Sequence, residues 1–344
     1  MTIVRPLFIA LALVTSTWTK ADVLFESDDT LQFNLKADFE LIDSERNKSR
    51  QYPGMLQIAD SEIPLELEVR GNFRLKKSTC RYPPLRLNFK KEHVNDTLFD
   101  KQRRLKLVVQ CSRSAVFEDY LRIEFLIYKM YSQLSDASFK VRWVEVGYQQ
   151  FGSEEAPSVR PGFLIEQKKR MEKRLDMHDI KHSRVSHRDL VSLEANLIDL
   201  FQFMIGNTDY SLLEGEGEGE DKEACCHNAK LLTKKKDETP YLPVPYDFDN
   251  AGLINARYAT PNEALGTSSV TQRRYRGFCI HNNLIPQNLE TLRQHKETFF
   301  ALLRDDPLLS SKSKKRTVRY LEGFYDVIDS DSRLKRQLSG RCRG

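Results

Sequence analysis

Apolar residues fall at every second position through much of the first third of the chain. LQFNL places them at Leu31, Phe33 and Leu35, and IPLELEV at Ile63, Leu65, Leu67 and Val69. LRLNF and LKLVV repeat the pattern at Leu85, Leu87 and Phe89, and at Leu105, Leu107 and Val109. Alternate side chains of a strand point to opposite faces, so these stretches predict half-buried antiparallel strands. The period then changes. In FEDYLRIEFLIYKMYSQL, residues 117–134, Tyr120, Leu121, Glu124, Ile127, Tyr128 and Tyr131 recur at three-four spacing, which predicts a helix. Strands return at FKVRWVEVGY, 139–148, and at GFLIEQ, 162–167. Beyond them, LVSLEANLIDLFQFMIGN, 190–207, predicts a buried helix, and PQNLETLRQHKETFFALL and RTVRYLEGFYDVI predict two more. The expected architecture is α+β, with a strand-rich part over 22–160 carrying one helix and a mainly helical part over 161–344. LLEGEGEGEDKEA, 212–224, is a low-complexity acidic loop.

The first 21 residues alter the picture. One Arg, an apolar run from Leu7 to Val14 and Thr-Lys-Ala ending at Ala21 have the order of a secretory signal, with an uncleaved anchor as the rival reading. No other segment approaches the roughly 18 consecutive apolar residues of a membrane span, so the mature chain is expected to be exported, periplasmic or extracellular, without stable membrane insertion. Six cysteines in such a chain predict disulfides. Sequence leaves the pairing open, except that a bond between neighbouring Cys225 and Cys226 is disfavoured, so each is expected to reach a distant partner. Zinc is the weaker alternative, because His227 follows but no CxxC spacing does. The net charge of +5 is mild and the Lys/Arg clusters read as solvated faces; no nucleic-acid motif accompanies them.

Candidate chemistry gathers in the second half. In YLPVPYDFDNAGL, a strand continuing through 247–249 would point Asp247 and Asp249 the same way with Phe248 in the core, and two acids on one face invite a cation. Turn chemistry at 249–252 is the rival account of Asp249. Upstream, the buried helix ends in GNTDYS with Asp209, and CCHNAKLL brings His227 and Asn228 into a short strand. Phosphoryl transfer needs an acid to orient the attacking hydroxyl, and an amide oxygen and a carboxylate for the magnesium that bridges the phosphates. Asp209, Asn228 and Asp247 occur in that order. A cation for the phosphates, held by a helix Glu, has candidates in Lys106 and Glu124. No GxGxxG loop is present; the turn and cations of RGNFRLKK, 70–77, including Arg70, are the substitute, with a plain hairpin as the alternative. Absence of HExxH and GxSxG argues against a zinc protease or serine hydrolase. The Arg-aromatic patch RRYRGFC, 273–279, is read first as structural.

Taken in order, RGN at 70–72, LKLVV at 105–109, LRIEFLIYKMY at 121–131, GFLIE at 162–166, GNTD at 206–209, HN at 227–228 and YDFD at 246–249 resemble the CotH family of secreted atypical protein kinases. More distantly they are similar to HipA-type kinases. The resemblance covers roughly residues 30–290 and implies a two-lobed protein-kinase-like fold, with a strand-rich N-lobe and a mainly helical C-lobe, using ATP and Mg²⁺ or Mn²⁺ to phosphorylate a protein hydroxyl. It implies Asp209 as catalytic acid, Asn228 and Asp247 as metal ligands with Asp249 as helper, Lys106 with Glu124 as the phosphate-binding pair, and Glu166 in the hinge beside the adenine. The acidic repeat between Asp209 and Asn228 departs from the short spacing of typical protein kinases. Two other readings stay open: a catalytically inactive scaffold or binding protein of the cell envelope, and an enzyme that transfers AMP.

Overall fold

A computed structural model describes residues 23–215, 225–236 and 238–344. The expected signal at 1–21 and most of the acidic loop at 212–224 lie outside the described residues. The period-two stretches form strands: β1 (Leu31–Ala37), then helix α1 (Phe39–Glu45), β2 (Tyr52–Ile58), β3 (Ser61–Val69), β4 (Leu85–Phe89), short helix α2 (Lys91–Val94) and β5 (Arg104–Val109). Helix α3 (Ala115–Ser132), β6 (Val141–Gln150) and β7 (Ser158–Ile165) follow. Strand β2 escapes the sequence pattern because Pro53 and Gly54 interrupt its alternation.

These seven strands close into a barrel in the order β1-β2-β3-β4-β5-β7-β6. Neighbours are antiparallel except at the closing seam, where β1 runs parallel to β6 with Leu31 opposite Val144 and Ala37 opposite Gln150. The expectation of purely antiparallel pairing fails there, since a parallel seam joins strands that are remote in sequence. Alternation sets what each face does. On β5, Leu105, Leu107 and Val109 pack in the barrel interior with Phe33, Leu67 and Phe99, while Val108 joins a second core outside.

The rest of the chain covers that outer face. After α4 (Lys168–Leu175) and β8 (His178–Asp179) come α5 (Ser192–Ile205), β9 (Ala229–Thr233), β10 (Leu242–Pro245), α6 (Ile285–Gln294), α7 (Lys296–Arg304), α8 (Ser311–Ile328) and α9 (Asp331–Gln337). Strands β8, β9 and β10 make a small antiparallel sheet. The single helix expected over PQNLETLRQHKETFFALL is broken at His295 into α6 and α7.

The two-lobed protein-kinase-like fold with a helical C-lobe is therefore corrected to a closed, mixed seven-stranded barrel with helices and a small sheet packed on its outside. Trp143 and Phe163 of the barrel share one continuous apolar cluster with Leu126 of α3, Phe201 of α5 and Phe324 of α8. Phe163 is wholly buried in it, worth about 1.5–3 kcal/mol of transfer free energy. The barrel also includes β7 to Ile165, past the boundary expected at 160.

Three cysteine pairs lie at disulfide distance: Cys80–Cys111, Cys225–Cys226 and Cys279–Cys342. The expectation that Cys225 and Cys226 reach distant partners is overturned. Both are buried, their N–H groups donate to the His182 and Ala229 carbonyls, and the two sulfurs pair with each other. Among the described residues, no helix is long and apolar enough to cross a membrane.

Candidate functional site

Between the outward face of β5 and the loops that follow α5 and β10 lies a cleft of about 280 Å³. Its wall on the barrel side comes from Lys106 of β5 and from Arg70 and Arg74 in the loop after β3, where Gly71 takes a left-handed φ of 85°. Helix α3 contributes Glu124 and Tyr128; the opposite loops supply Asp209, His227, Asn228, Asp247, Asp249 and Asn250.

Asp209 is placed by the end of α5. Gly206 stops the helix in a left-handed conformation, where a Cβ would collide with the Tyr320 hydroxyl, and the chain turns so that Asp209 reaches the cleft. Asp209 Oδ1 lies 2.8 Å from His227 Nε2. Its Oδ2 accepts from Asn228 Nδ2 at 3.1 Å and from Asn250 Nδ2 at 2.9 Å. Burial pushes the carboxyl up, but the hydrogen bond and charge of His227, with the Asn250 and Asn228 amides, hold it below its ordinary range. It stays ionised, and its side chain is 40% exposed to the cleft.

Behind it the charges are buried. Arg74 Nη1 stands 3.5 Å from Asp249 Oδ2 and 3.8 Å from Glu124 Oε2, serving both carboxylates from one guanidinium. Burial, then the Asp247 charge, raises Asp249 to about 7 against the pull of Arg74. Burial and the Asp249 charge push Glu124 well up in turn, so these neighbours do not both ionise readily. Lys106 is drawn down to about 7 by burial and by Arg70, and its ammonium sits 4.8 Å from the Tyr246 ring centroid.

Strand β10 ends at Pro245, so the two acids are not strand neighbours as expected. Asp247 has a left-handed φ of 61°, and its N–H donates to the Tyr128 hydroxyl at 2.8 Å. Asn228 is also left-handed, at 49°; such conformations cost about 1–2 kcal/mol each and persist where the surroundings impose them. Phe248 enters the core as expected, 4.8 Å from the Tyr128 ring, while Asp249 falls in a turn closed by Ala251 N–H on the Phe248 carbonyl. Both acids still reach the same cleft, and Asn250 Nδ2 contacts Asp209 and Asp249 together.

The structure thus brings Arg70, Lys106, Glu124, Asp209, Asn228, Asp247 and Asp249 to one cleft. Glu166 is not among them. Its carboxylate receives Arg174 and the Lys140 N–H, and its own N–H donates to the Lys140 carbonyl. In place of the expected Lys106–Glu124 pair the structure has Arg74 beside Glu124, with Lys106 over the Tyr246 ring. Arg74, Tyr128 and Asn250 were missed as site residues. Arg74 sits within the quoted RGNFRLKK, and Asn250 directly follows the Asp pair. The Arg-aromatic patch is structural: Arg273 donates to Met204 O, and Arg276 to the carbonyls of Thr208 and Tyr210, bracketing Asp209.

As metal donors, Asp247, Asp249 and the Asn228 amide oxygen are all hard oxygens, the type Mg²⁺ and Mn²⁺ prefer. The Asn228 amide nitrogen is committed to Asp209, which leaves its oxygen to offer. Among the described residues, no group of three or more His, Cys, Asp and Glu is arranged to hold a metal alone. Magnesium commonly takes one or two carboxylates and completes its shell with phosphates and water, so this set fits an ion that arrives with a nucleotide. No family model matches the chain, and no curated protein matches it.

Proposed function

We propose that the cleft binds ATP with Mg²⁺ or Mn²⁺ and transfers a phosphoryl group to a protein hydroxyl, outside the cytoplasm. The observation that carries this reading is the setting of Asp209: an ionised, partly exposed carboxylate, oriented by His227, Asn228 and Asn250, beside cations and a pair of carboxylates. Arg70, Arg74 and Lys106 suit phosphate oxygens; Asp247, Asp249 and Asn228 would hold the ion. A divalent ion supplies neutralisation of phosphate charge as the bond to the leaving group breaks. Asp209 orients the acceptor hydroxyl and takes its proton. The three cysteine pairs fit an oxidising compartment, which supports export.

The test is the melting temperature of the mature chain with ATP and Mg²⁺ or Mn²⁺, beside an Asp247→Ala variant. A ligand specific to the folded state stabilises it by about 2.7 kcal/mol at a hundred times its dissociation constant. A metal-dependent rise that the variant loses is the expected result. No rise with either metal would remove the nucleotide site and leave a disulfide-bonded scaffold as the better account.

A further inference from the structure

A second cavity, of about 360 Å³, opens at one end of the barrel. It is bounded by α1, the residues leading into β4, the ends of β5 and β6 and the start of β7. Barrel mouths are common places for small-molecule sites, because the strands converge there around a concave, partly apolar surface. Phe39, Leu85 and Val109 supply that surface here.

At its centre, the Arg160 guanidinium lies between two rings, 3.9 Å from the Tyr82 centroid and 3.8 Å from that of Tyr148. Both faces of the guanidinium are covered, so only its edge, where the N–H groups point, is left for a ligand. Other arginines of this chain use that edge on the protein: Arg46 donates to the Leu75 and Cys80 carbonyls, Arg142 to Leu24 O, Arg174 to Glu166. A buried, unpartnered Nε is shared with Arg70, Arg74 and Arg276, but Arg74 and Arg276 donate to carbonyls through other nitrogens and Arg70 lines the first cleft, whereas Arg160 makes no hydrogen bond to the described residues. The Tyr148 hydroxyl is also buried and unpartnered, on a residue only 8% exposed. Both atoms are sealed from the cavity, so what a ligand would meet is the outer Nη edge of the half-buried Arg160 guanidinium, which no protein group among the described residues accepts from. Arg113 adds a cation at the rim, where its Nε donates to the Tyr82 hydroxyl.

We propose that the barrel mouth is a second binding site, taking a small carboxylate with an apolar body. The carboxylate lies in the plane of Arg160 and accepts from its Nη edge. The apolar body fills the space beside Phe39 and Val109. A fork-shaped donor with covered faces selects a planar bidentate acceptor over a bulky anion. This site stands apart from the nucleotide reading and does not depend on it.

The test is calorimetric titration of the full disulfide-bonded chain with octanoate, 4-phenylbutyrate and indole-3-acetate, each beside its amide. At least one acid is expected to bind, with its amide weaker by roughly tenfold or more, the loss of a charge-assisted hydrogen bond. Arg160→Lys keeps the charge but loses the fork and should weaken that acid by about tenfold; Tyr148→Phe keeps the ring that covers Arg160 and should change it little. Asp247→Ala should leave it unchanged. Failure of all three acids on the wild-type chain, or equal binding of acid and amide, would overturn the site without touching the nucleotide proposal. So would full affinity in a folded Arg160→Lys variant.

Discussion

Asp209 and His227 are joined at 2.8 Å, one carboxylate oxygen to one ring nitrogen, while the other oxygen is held by two amides. Every contact of this carboxylate orients it without removing its charge. Asp209→Asn should therefore lower phosphoryl transfer by about 10²–10⁴ while nucleotide affinity changes little. His227→Gln should give a smaller loss. Initial rates of phosphate incorporation check this, and a fully active Asp209→Asn would take the base role from Asp209.

Arg74 stands between Glu124 and Asp249, and no lysine replaces it there. Arg74→Met leaves two buried carboxyl groups without their nearest cation, with Arg70 the one that remains. A cost of about 3–5 kcal/mol is expected in denaturant unfolding. Adding Glu124→Gln should recover part of it, because one of the two acids is then neutral by constitution. A double variant no better than the single would show that Arg74 acts through packing.

How far the sequence carried the architecture depends on the range of the interaction. Strands β3, β4 and β5 were readable because alternation is local, and Asp209, Asn228 and Asp247 stood out because each follows an apolar run or opens one within about forty residues, though only the fold shows that they share a cleft. The barrel closure was not, since it depends on β1 finding β6 across more than a hundred residues. Nor was the pairing of Glu124 with Arg74 rather than Lys106, since both cations reach the cleft and only the fold sets which one stands beside the acid. Glu166 lies outside the cleft lining, its carboxylate taken by Arg174 of the next helix, a pairing that sequence order alone does not reveal.

Cys80 and Cys111 tie the loop carrying Arg70 and Arg74 to the segment after β5, closing 31 residues. Replacing both by Ala should cost about 3–4 kcal/mol on the loop-entropy account. Nucleotide affinity should fall with it, since the two arginines lose their tether. Urea unfolding and calorimetry of the double variant measure the two effects separately, and intact affinity would exclude the tether from ligand binding.

Asp199 is wholly buried, with Oδ1 accepting from the Tyr210 hydroxyl at 2.7 Å and Oδ2 unpartnered. Burial raises it to about 6, against the pull of Tyr210, Arg343 and Arg276. The folded chain thus holds this proton more tightly than the unfolded chain does. Ionising Asp199 destabilises the fold as pH rises from about 4 to above 6, and the penalty is absent below that window. Relative to Asp199→Asn, the wild type should lose on the order of 3 kcal/mol between pH 4 and pH 7.5. Urea unfolding across that range checks it; a constant difference would mean the Arg neighbours keep Asp199 ionised throughout.

The parallel seam pairs Gln32 with Glu145, positions 113 residues apart. A chain emerging N-terminus first from a ribosome or a translocation pore has made β1 through β5 long before the strands that complete the ring exist. Until Val141–Gln150 and Ser158–Ile165 arrive, β1 has no partner on one side and β5 none on the other. Native pairing is thus postponed by connectivity itself, a timing that suits a polypeptide threaded through a membrane before it folds.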